Sequence, residues 1–341
     1  MKTIKDIARE SGYSVGTVSR ALNNRPGVSK TAKQRILTVV ERHNFQLNEN
    51  AKFLKQRRSR GIALVLKGMQ NMLFASLLEQ LQQRIEAEQY ECFIFYLNED
   101  ENEVELAKQI CRERKPEGIL FLGCNLELFR EEFGSIDIPC VLLTNDGSGL
   151  GFQNLSSVST DDEAAAEFAV NYLIENGHTR IGVIGGHRER STPTRIRYAG
   201  CLKAFRTHGI RFDEAAQYET AYFSMEDGYY AMRRLLQKMP DITAVFVMAD
   251  VMAIGAIRAA ADRGLSVPED LSVIGFDGLD ITDYLNPRLT TIRQNRDLLM
   301  SRSIEILLAG IREGQSAVHE MEPFQLIAGN SVRNLAKGPD R

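Results

Sequence analysis

From Gly61 onward, short continuous apolar runs alternate with stretches of helical periodicity, and this alternation restricts the fold more than any other feature of the chain. Runs at 62–66, 91–96, 118–122 and 140–143 read as strands, with helices predicted over 74–89 and 104–113. In the first of these helices Leu77, Leu78, Leu81 and Ile85 share one face. After Asp161 the series restarts. Helices are predicted at 164–175, 195–207, 227–237 and 252–262, and strands at 181–184, 218–223, 244–247 and 272–276. Apolar runs without polar alternation belong to parallel strands covered on both faces. Strand–helix repetition builds a doubly wound parallel sheet, so the fold class is α/β. Two series imply two similar lobes. Ligands of such sheets bind outside the carboxyl ends of the strands, which predicts a binding site in a cleft between the lobes.

The first sixty residues follow a different plan. They hold fourteen Lys and Arg against four acids, a charge of +10, while the other 281 residues hold 28 basic and 41 acidic side chains, a charge of −13. The net charge of −3 conceals this split. A compact cationic piece on an acidic body is the electrostatic footprint of a protein that binds a phosphate backbone. The segment also has helical caps and periodicity, which a solvated basic tail would lack. Thr3 and Asp6 have capping-box spacing, with Ile4, Ile7 and Ala8 on one face. Gly12 and Tyr13 break that helix, and Ser14 can cap a second one whose inner face is Val18, Ala21 and Leu22. Val15, Gly16, Ser19, Arg20 and Asn23 fall on its opposite face. After a turn at 24–27, Ser29 caps a third helix reaching about His43, with Ala32, Ile36, Val39 and Val40 inside. Two helices joined by a tight turn, the second with a free polar face, form a helix-turn-helix whose second helix enters the major groove.

Other chemistries find little support. The five cysteines are scattered without CxxC spacing and read as small buried hydrophobes. The five histidines form no ligand-like pair. The glycines at 182, 185 and 186 match neither a GxGxxG fingerprint nor a phosphate-loop lysine motif, and no nucleophile–base or paired-carboxylate constellation stands out. The expectation is a protein that is not an enzyme and needs no cofactor or metal. No leader-like start and no apolar stretch of membrane-spanning length is present, so a cytoplasmic location is expected, without membrane association. A solute-binding protein would share the two-lobed core but require export, and would leave the cationic segment unexplained.

Residues 3–23 closely resemble the headpiece of the lactose/galactose repressor (LacI/GalR) family. The resemblance implies that Val15, Gly16 and Arg20 face base edges, while Ser14, Thr17, Ser19 and Asn23 mostly hold phosphates. The chemistry agrees in part: Arg20 can pair bidentately with guanine, Val15 can touch only a thymine methyl, and Gly16 offers no side chain. Residues 45–59 resemble the family's hinge helix, with Ala51 and Leu54 at the positions that pack in the minor groove and Leu54 as the wedge between base steps. Lys52 and Lys55 are implied to contact phosphate or the groove floor. The family commonly has proline where Leu47 stands.

The resemblance extends over nearly the whole chain, through 172–181, 197–202, 246–255, 267–277 and 289–292. It implies an all-α headpiece over 1–46, a hinge helix over 47–60 and a two-lobed core like that of periplasmic sugar-binding proteins over 61–341. The first lobe is expected at about 61–160 and 293–325, and the second at 161–292 and 326–341, with crossings near Thr160, near 290–293 and near Leu326. Arg197 and Asp277 match positions that hydrogen-bond a small-molecule effector, and Phe223 one where aromatics stack on it. Phe74, Asp161, Thr192, Thr194 and Asp250 are further candidates. Each has a structural alternative: a turn or cap carboxylate for Asp277, an inter-lobe ion pair for Arg197, a core aromatic for Phe223 and a loop support for Asp250. Ala249 stands where many sugar-responsive members have asparagine, and Gly329 where the family usually has arginine. The implied function is a repressor of transcription acting on palindromic operator DNA, controlled by a small-molecule effector, a carbohydrate or its derivative. No leucine heptads follow Ser331, which predicts a homodimer rather than a zipper-tethered tetramer.

Overall fold

The computed structural model describes residues 4–22, 27–43, 60–68 and 71–336. The chain divides into two compact units, Met1–Arg58 and Ser59–Arg341. The hinge positions Leu47, Ala51, Lys52, Leu54 and Lys55, together with Thr3 and Asn23, lie outside the described residues.

The first unit contains three helices, α1 (Ile4–Ser11), α2 (Val15–Leu22) and α3 (Lys30–Arg42). Ile7, Ala8, Val18, Ala21, Ile36 and Val39 bury themselves against one another, and Tyr13, Leu22, Val28 and Val40 pack around them. Ile7, Val18 and Ile36 are fully inaccessible, each contributing about 1.5–3 kcal/mol of burial. Gly12 ends α1 in the left-handed region, at φ +79°, where a side chain would be strained. Ser14 then starts α2 by accepting the N–H of Thr17 at 3.2 Å.

The second unit contains two six-stranded sheets. In the first half β1 (Gly61–Lys67), α4 (Met72–Ala87), β2 (Glu91–Leu97), α5 (Glu103–Glu113), β3 (Gly118–Leu122), α6 (Leu126–Glu132), β4 (Cys140–Leu143) and β5 (Leu155–Thr160) follow in turn. In the second half come α7 (Asp162–Glu175), β6 (Ile181–Gly185), α8 (Thr192–Thr207), the single turn α9 (Glu214–Gln217), β7 (Tyr218–Thr220), α10 (Met225–Lys238), β8 (Ala244–Val247), α11 (Asp250–Asp262), β9 (Ser272–Asp277) and β10 (Thr290–Gln294). Helix α12 (Arg296–Glu313) and strands β11 (His319–Glu322) and β12 (Phe324–Ile327) complete the chain.

The strand orders are β11-β5-β4-β3-β1-β2 and β12-β10-β9-β8-β6-β7, so both lobes use one topology. Every pairing is parallel except β12 on β10. Strand order reverses at β1 and at β6, and a crevice opens at the carboxyl end of such a switch point. The chain passes between the sheets three times, at Asp161, Asn295 and Pro323. The last passage lies earlier than the Leu326 expected from the sequence, because Leu326 pairs with Ile292 inside the second sheet.

Some elements escaped the hydrophobicity pattern. Strand β5 is Leu-Ser-Ser-Val-Ser-Thr, yet all six residues are buried. Its hydroxyls take over the work of apolar side chains: Ser156 accepts the Val318 N–H at 3.0 Å, Ser157 bonds His319 at 2.8 Å, and Thr160 donates to Gln294 at 2.9 Å. Helix α12 packs Leu299, Met300, Ile304 and Leu307 into the first lobe's core. Strand β7 ends at Thr220, short of the predicted Phe223, because the chain leaves the sheet there.

Candidate functional site

In the first unit, α2 presents one face to solvent. Val15 is 42% exposed although apolar, and Ser14, Gly16 and Arg20 are exposed beside it, while Val18 and Ala21 on the other side are buried. Thr17 and Ser19 are half-buried at the edges of this face. The Ser14 hydroxyl lies 2.9 Å from that of Thr17, so the helix start is held locally. A Cβ at Gly16 would meet only Ser14 Oγ, at 3.8 Å. Packing of the headpiece therefore does not require glycine there, and the bare backbone can approach a groove closely. A short helix with Arg20 and a valine methyl surface outward can read guanine edges and thymine methyls.

In the second unit an open cleft runs between the lobes, with an empty volume of about 830 Å³, solvent at its mouth included. Lys67, Gly68 and Gly123 line it from the ends of β1 and β3, Phe74 from α4, and Glu99 and Asp100 from the turn after β2. The second lobe contributes His187, Arg190 and Ser191, Arg197 from α8, Tyr222 and Phe223, Asp277 from the end of β9 and Gln294 from β10. Four of the predicted effector contacts thus meet in one cleft: Phe74, Arg197, Phe223 and Asp277. Glycines make room for the aromatics. A Cβ at Gly123 would lie 2.8 Å from Phe74, and one at Gly186 would lie 2.9 Å from Phe223.

Arg197 is only 5% exposed and is held on three sides. Its Nε donates to Asp162 at 2.8 Å and its Nη1 to the Met248 carbonyl at 2.7 Å, and the guanidinium lies 3.6 Å from the centre of the Phe276 ring. Its ion pair is therefore within one lobe, not between lobes. Burial pushes the Asp162 carboxyl up, and the Arg197 charge opposes that shift.

Asp277 has two unusual properties. Its φ is +113°, a strained value for a residue with a side chain, of the kind that clusters at functional sites. One carboxylate oxygen accepts from Gln294 Nε2 at 2.8 Å, while Oδ2 is buried without a hydrogen-bond partner in the protein. Burial raises its pKa to about 6 against the pull of Arg197. Asp250 lies close behind, fully buried, and accepts from Leu279 N at 2.8 Å and Thr291 Oγ1 at 2.6 Å. Burial and the neighbouring Asp277 charge push it well above the usual carboxylate range. A Cβ on Gly275 would come within 2.2 Å of Asp250 Oδ1, so this glycine admits the carboxylate to the strand.

The remaining candidates lie outside the cleft lining. Asp250 braces the loop after β9. Asp161 caps α7 by accepting the Ala164 N–H at 3.0 Å. Thr194 is fully buried and bonds Ser191 at 2.9 Å. Thr192 accepts the Leu126 N–H at 3.5 Å, joining the lobes at the rim. Ala249, the position with asparagine in many sugar-responsive members, is buried immediately before α11 and gives that helix no side-chain cap. Gly329 leaves no space for a larger residue, since a Cβ would lie 2.3 Å from the Arg288 carbonyl.

Sequence reasoning passed over Glu99 and His187. Lys67 donates to Glu103 at 2.7 Å in a buried ion pair. Burial raises the Glu99 carboxyl, and the nearby backbone amide of Phe223 in the other lobe opposes that shift. His187 stands 5.3 Å from the Tyr222 ring. Arg190 pairs with Asp100, and Arg195 approaches Glu127 at 3.5 Å, also across the rim. The available signal was position: Glu99 and His187 each follow a strand closely.

Comparison with known proteins gives the family and the fold. Residues 3–48 match the profile of bacterial regulatory proteins of the lacI family, and residues 170–332 match a periplasmic binding protein-like domain. The HTH-type transcriptional regulator MalR of Clostridium butyricum is 34% identical over 338 residues, covering 97% of this chain and 99% of the relative. The probable HTH-type transcriptional repressor ExuR of Bacillus subtilis is 32% identical, covering 98% and 99%. Among solved structures, a lac repressor dimer bound to operator and the anti-inducer ONPF superposes with a TM-score of 0.71 at 24% identity, over 97% of this chain and 99% of that one. A CelR–cellobiose complex gives 0.70 at 24% identity, over 97% and 100%. At these identities the two structures speak for the fold. Among the described residues no helix is long and apolar enough to cross a membrane. The full-length relatives and the two profiles establish that the chain belongs to the LacI family of bacterial regulatory proteins, which are DNA-binding regulators of transcription and not enzymes.

Proposed function

We propose that the protein is a dimeric cytoplasmic repressor whose affinity for a palindromic operator is set by a saccharide or saccharide derivative bound between the lobes of its core. The observation that carries this reading is the cleft at the strand ends, where a pinned guanidinium, Arg197, and a strained, half-partnered carboxylate, Asp277, face the same space. Guanidinium and carboxylate together suit a ligand rich in hydroxyls. Phe74 and Phe223 offer ring faces for its C–H surfaces. In this reading residues 1–46 form the headpiece, with Val15, Gly16 and Arg20 reading bases and Ser14, Thr17, Ser19 and Asn23 holding phosphates. Residues 47–60 form the hinge, in which Ala51 and Leu54 enter the minor groove and Lys52 and Lys55 hold its edges. Residues 61–341 form the core, in which Asp161, Thr192, Thr194 and Asp250 shape the walls of the cleft. The effector acts by population shift, binding one lobe arrangement better than the other.

The experiment is selection of DNA sites by the full-length protein from a random pool, followed by anisotropy titration with and without a saccharide panel. Recovery of a two-fold site whose affinity falls steeply with salt and changes with one saccharide is the expected result. Sites without symmetry, or an affinity no saccharide changes, would contradict the reading.

A further inference from the structure

Among the described residues every lysine and arginine lining the cleft is ion-paired with an acid of the protein, whereas two cleft carboxylates feel Lys67 and Arg197 only at longer range and make no ion pair of their own. Lys67 is paired with Glu103, Arg190 with Asp100 and Arg197 with Asp162. Glu103 and Asp162 are buried, so these partners cannot be traded for solvent cheaply. Glu99 and Asp277 form no ion pair among the described residues. Of the other titratable groups in the lining, Cys124 is buried and His187 stands 5.3 Å from the Tyr222 ring. The cleft is thus acceptor-rich, and the charge of each lysine and arginine in its lining is already balanced within the protein.

The two acids approach from opposite sides. Asp277 reaches in from β9 of the second lobe with Oδ2 buried and unpartnered. Glu99 follows β2 of the first lobe, lies over Gly68 and lines the cleft opposite Phe223. Gly68 has φ +90°, and a Cβ there would touch Glu99 Cγ at 3.5 Å, so the glycine turn seats this carboxylate at the cleft wall. A ligand lying between Phe74 and Phe223 meets a carboxylate from each lobe. A hydroxyl can donate to either. A second carboxylate or a phosphate would sit against like charge in a partly desolvated space, and such juxtapositions are strongly discriminating.

We infer that Glu99 and Asp277 act together as a charge filter that admits uncharged polyhydroxylated ligands and rejects uronates and sugar phosphates. This rests on the saccharide reading of the cleft and adds Glu99 as a specificity-determining residue. Lys67 does not reverse the argument: with one N–H taken by Glu103, it can still donate to a neutral hydroxyl.

The test is calorimetric titration of the full-length protein with matched probes: glucose against glucuronate and glucose 6-phosphate, galactose against galacturonate, and maltose and cellobiose as larger neutral sugars. A neutral sugar should bind, and anionic counterparts should bind about tenfold more weakly or worse, a gap of roughly 1.4 kcal/mol per factor of ten. Glu99→Gln keeps the side-chain shape, and it should narrow that gap by raising anion affinity. An anionic sugar binding as tightly as its neutral counterpart overturns the filter while leaving the saccharide site standing. An unchanged gap in a Glu99→Gln protein with wild-type thermal unfolding removes Glu99 from it. Absence of binding by every saccharide, neutral or anionic, overturns the site reading and the filter with it.

Discussion

Asp277→Asn should change the pH dependence of stability in a direction fixed by the burial of this carboxyl. In the folded protein burial holds its pKa at about 6, above the ordinary aspartate value of 3.8. Between these values the folded state keeps a proton that the unfolded chain releases, so raising the pH favours unfolding. The penalty is absent below 3.8, grows through the window and is complete above 6. Two pKa units at about 1.4 kcal/mol each give a full cost near 3 kcal/mol, of which about 2 kcal/mol develops between pH 4.5 and 7.5. Asparagine removes that cost. It keeps an oxygen for Gln294 and leaves its amide at the unpartnered Oδ2 position, a loss of about 1–3 kcal/mol that does not vary with pH. Asp250 also loses its charged neighbour, which adds in the same direction. Urea denaturation of the full-length wild type and variant at a series of pH values measures the difference. The variant should gain about 2 kcal/mol on the wild type from pH 4.5 to 7.5. A difference that stays flat, or that favours the variant more at acid pH, would refute the claim that burial holds this group up. The same variant should lose its response to the effector while keeping operator affinity in the effector-free state, and a normal response would place the site elsewhere.

Arg20→Ala should weaken binding to the selected operator by roughly 1–3 kcal/mol with a smaller loss on random DNA; equal losses on both would mean that Arg20 holds phosphate only. Leu54→Ala should reduce operator bending in a gel-phasing assay, and unchanged bending would dismiss the wedge. Gly275→Ala should destabilise the core by about 1–3 kcal/mol in urea denaturation, because its Cβ would lie 2.2 Å from Asp250 Oδ1; a neutral change would show that Asp250 is free to move. Ile36→Ala should cost the headpiece about 2–5 kcal/mol by leaving a cavity under α1 and α2, visible as loss of DNA binding at moderate temperature with the core transition unchanged.

The strand–helix alternation was readable because parallel strands covered on both faces must be apolar throughout. Strand β5 was not, because serine and threonine can be buried when neighbours supply hydrogen bonds, and those neighbours, Val318, His319 and Gln294, come from far along the chain. Arg197 and Asp277 could be placed near strand ends from their positions in the series. That Asp250 faces inward and Asp277 faces the cleft depends on β9 and β10 lying side by side, which no local pattern contains. Glu99 was hidden for a similar reason: it meets the second lobe near the Phe223 backbone, 124 residues further along the chain.

The three passages between the lobes all lie on one side. Strands β5 and β11 are neighbours at one edge of the first sheet, and β10 and β12 are neighbours at the matching edge of the second. The core is therefore bound like a book, with its spine there and its fore-edge at β2 and β7. Strand β2 lies four places from β5, about 19 Å at a strand spacing near 4.8 Å. A turn of about 10° about the spine would shift the fore-edge by roughly 3 Å, more than a hydrogen bond survives. Contacts between the lobes sit at that edge: Asp100 pairs with Arg190, and Glu99 lies by the Phe223 backbone. Contacts placed there have the longest lever arm about the spine, so a small rotation of one lobe against the other breaks them first.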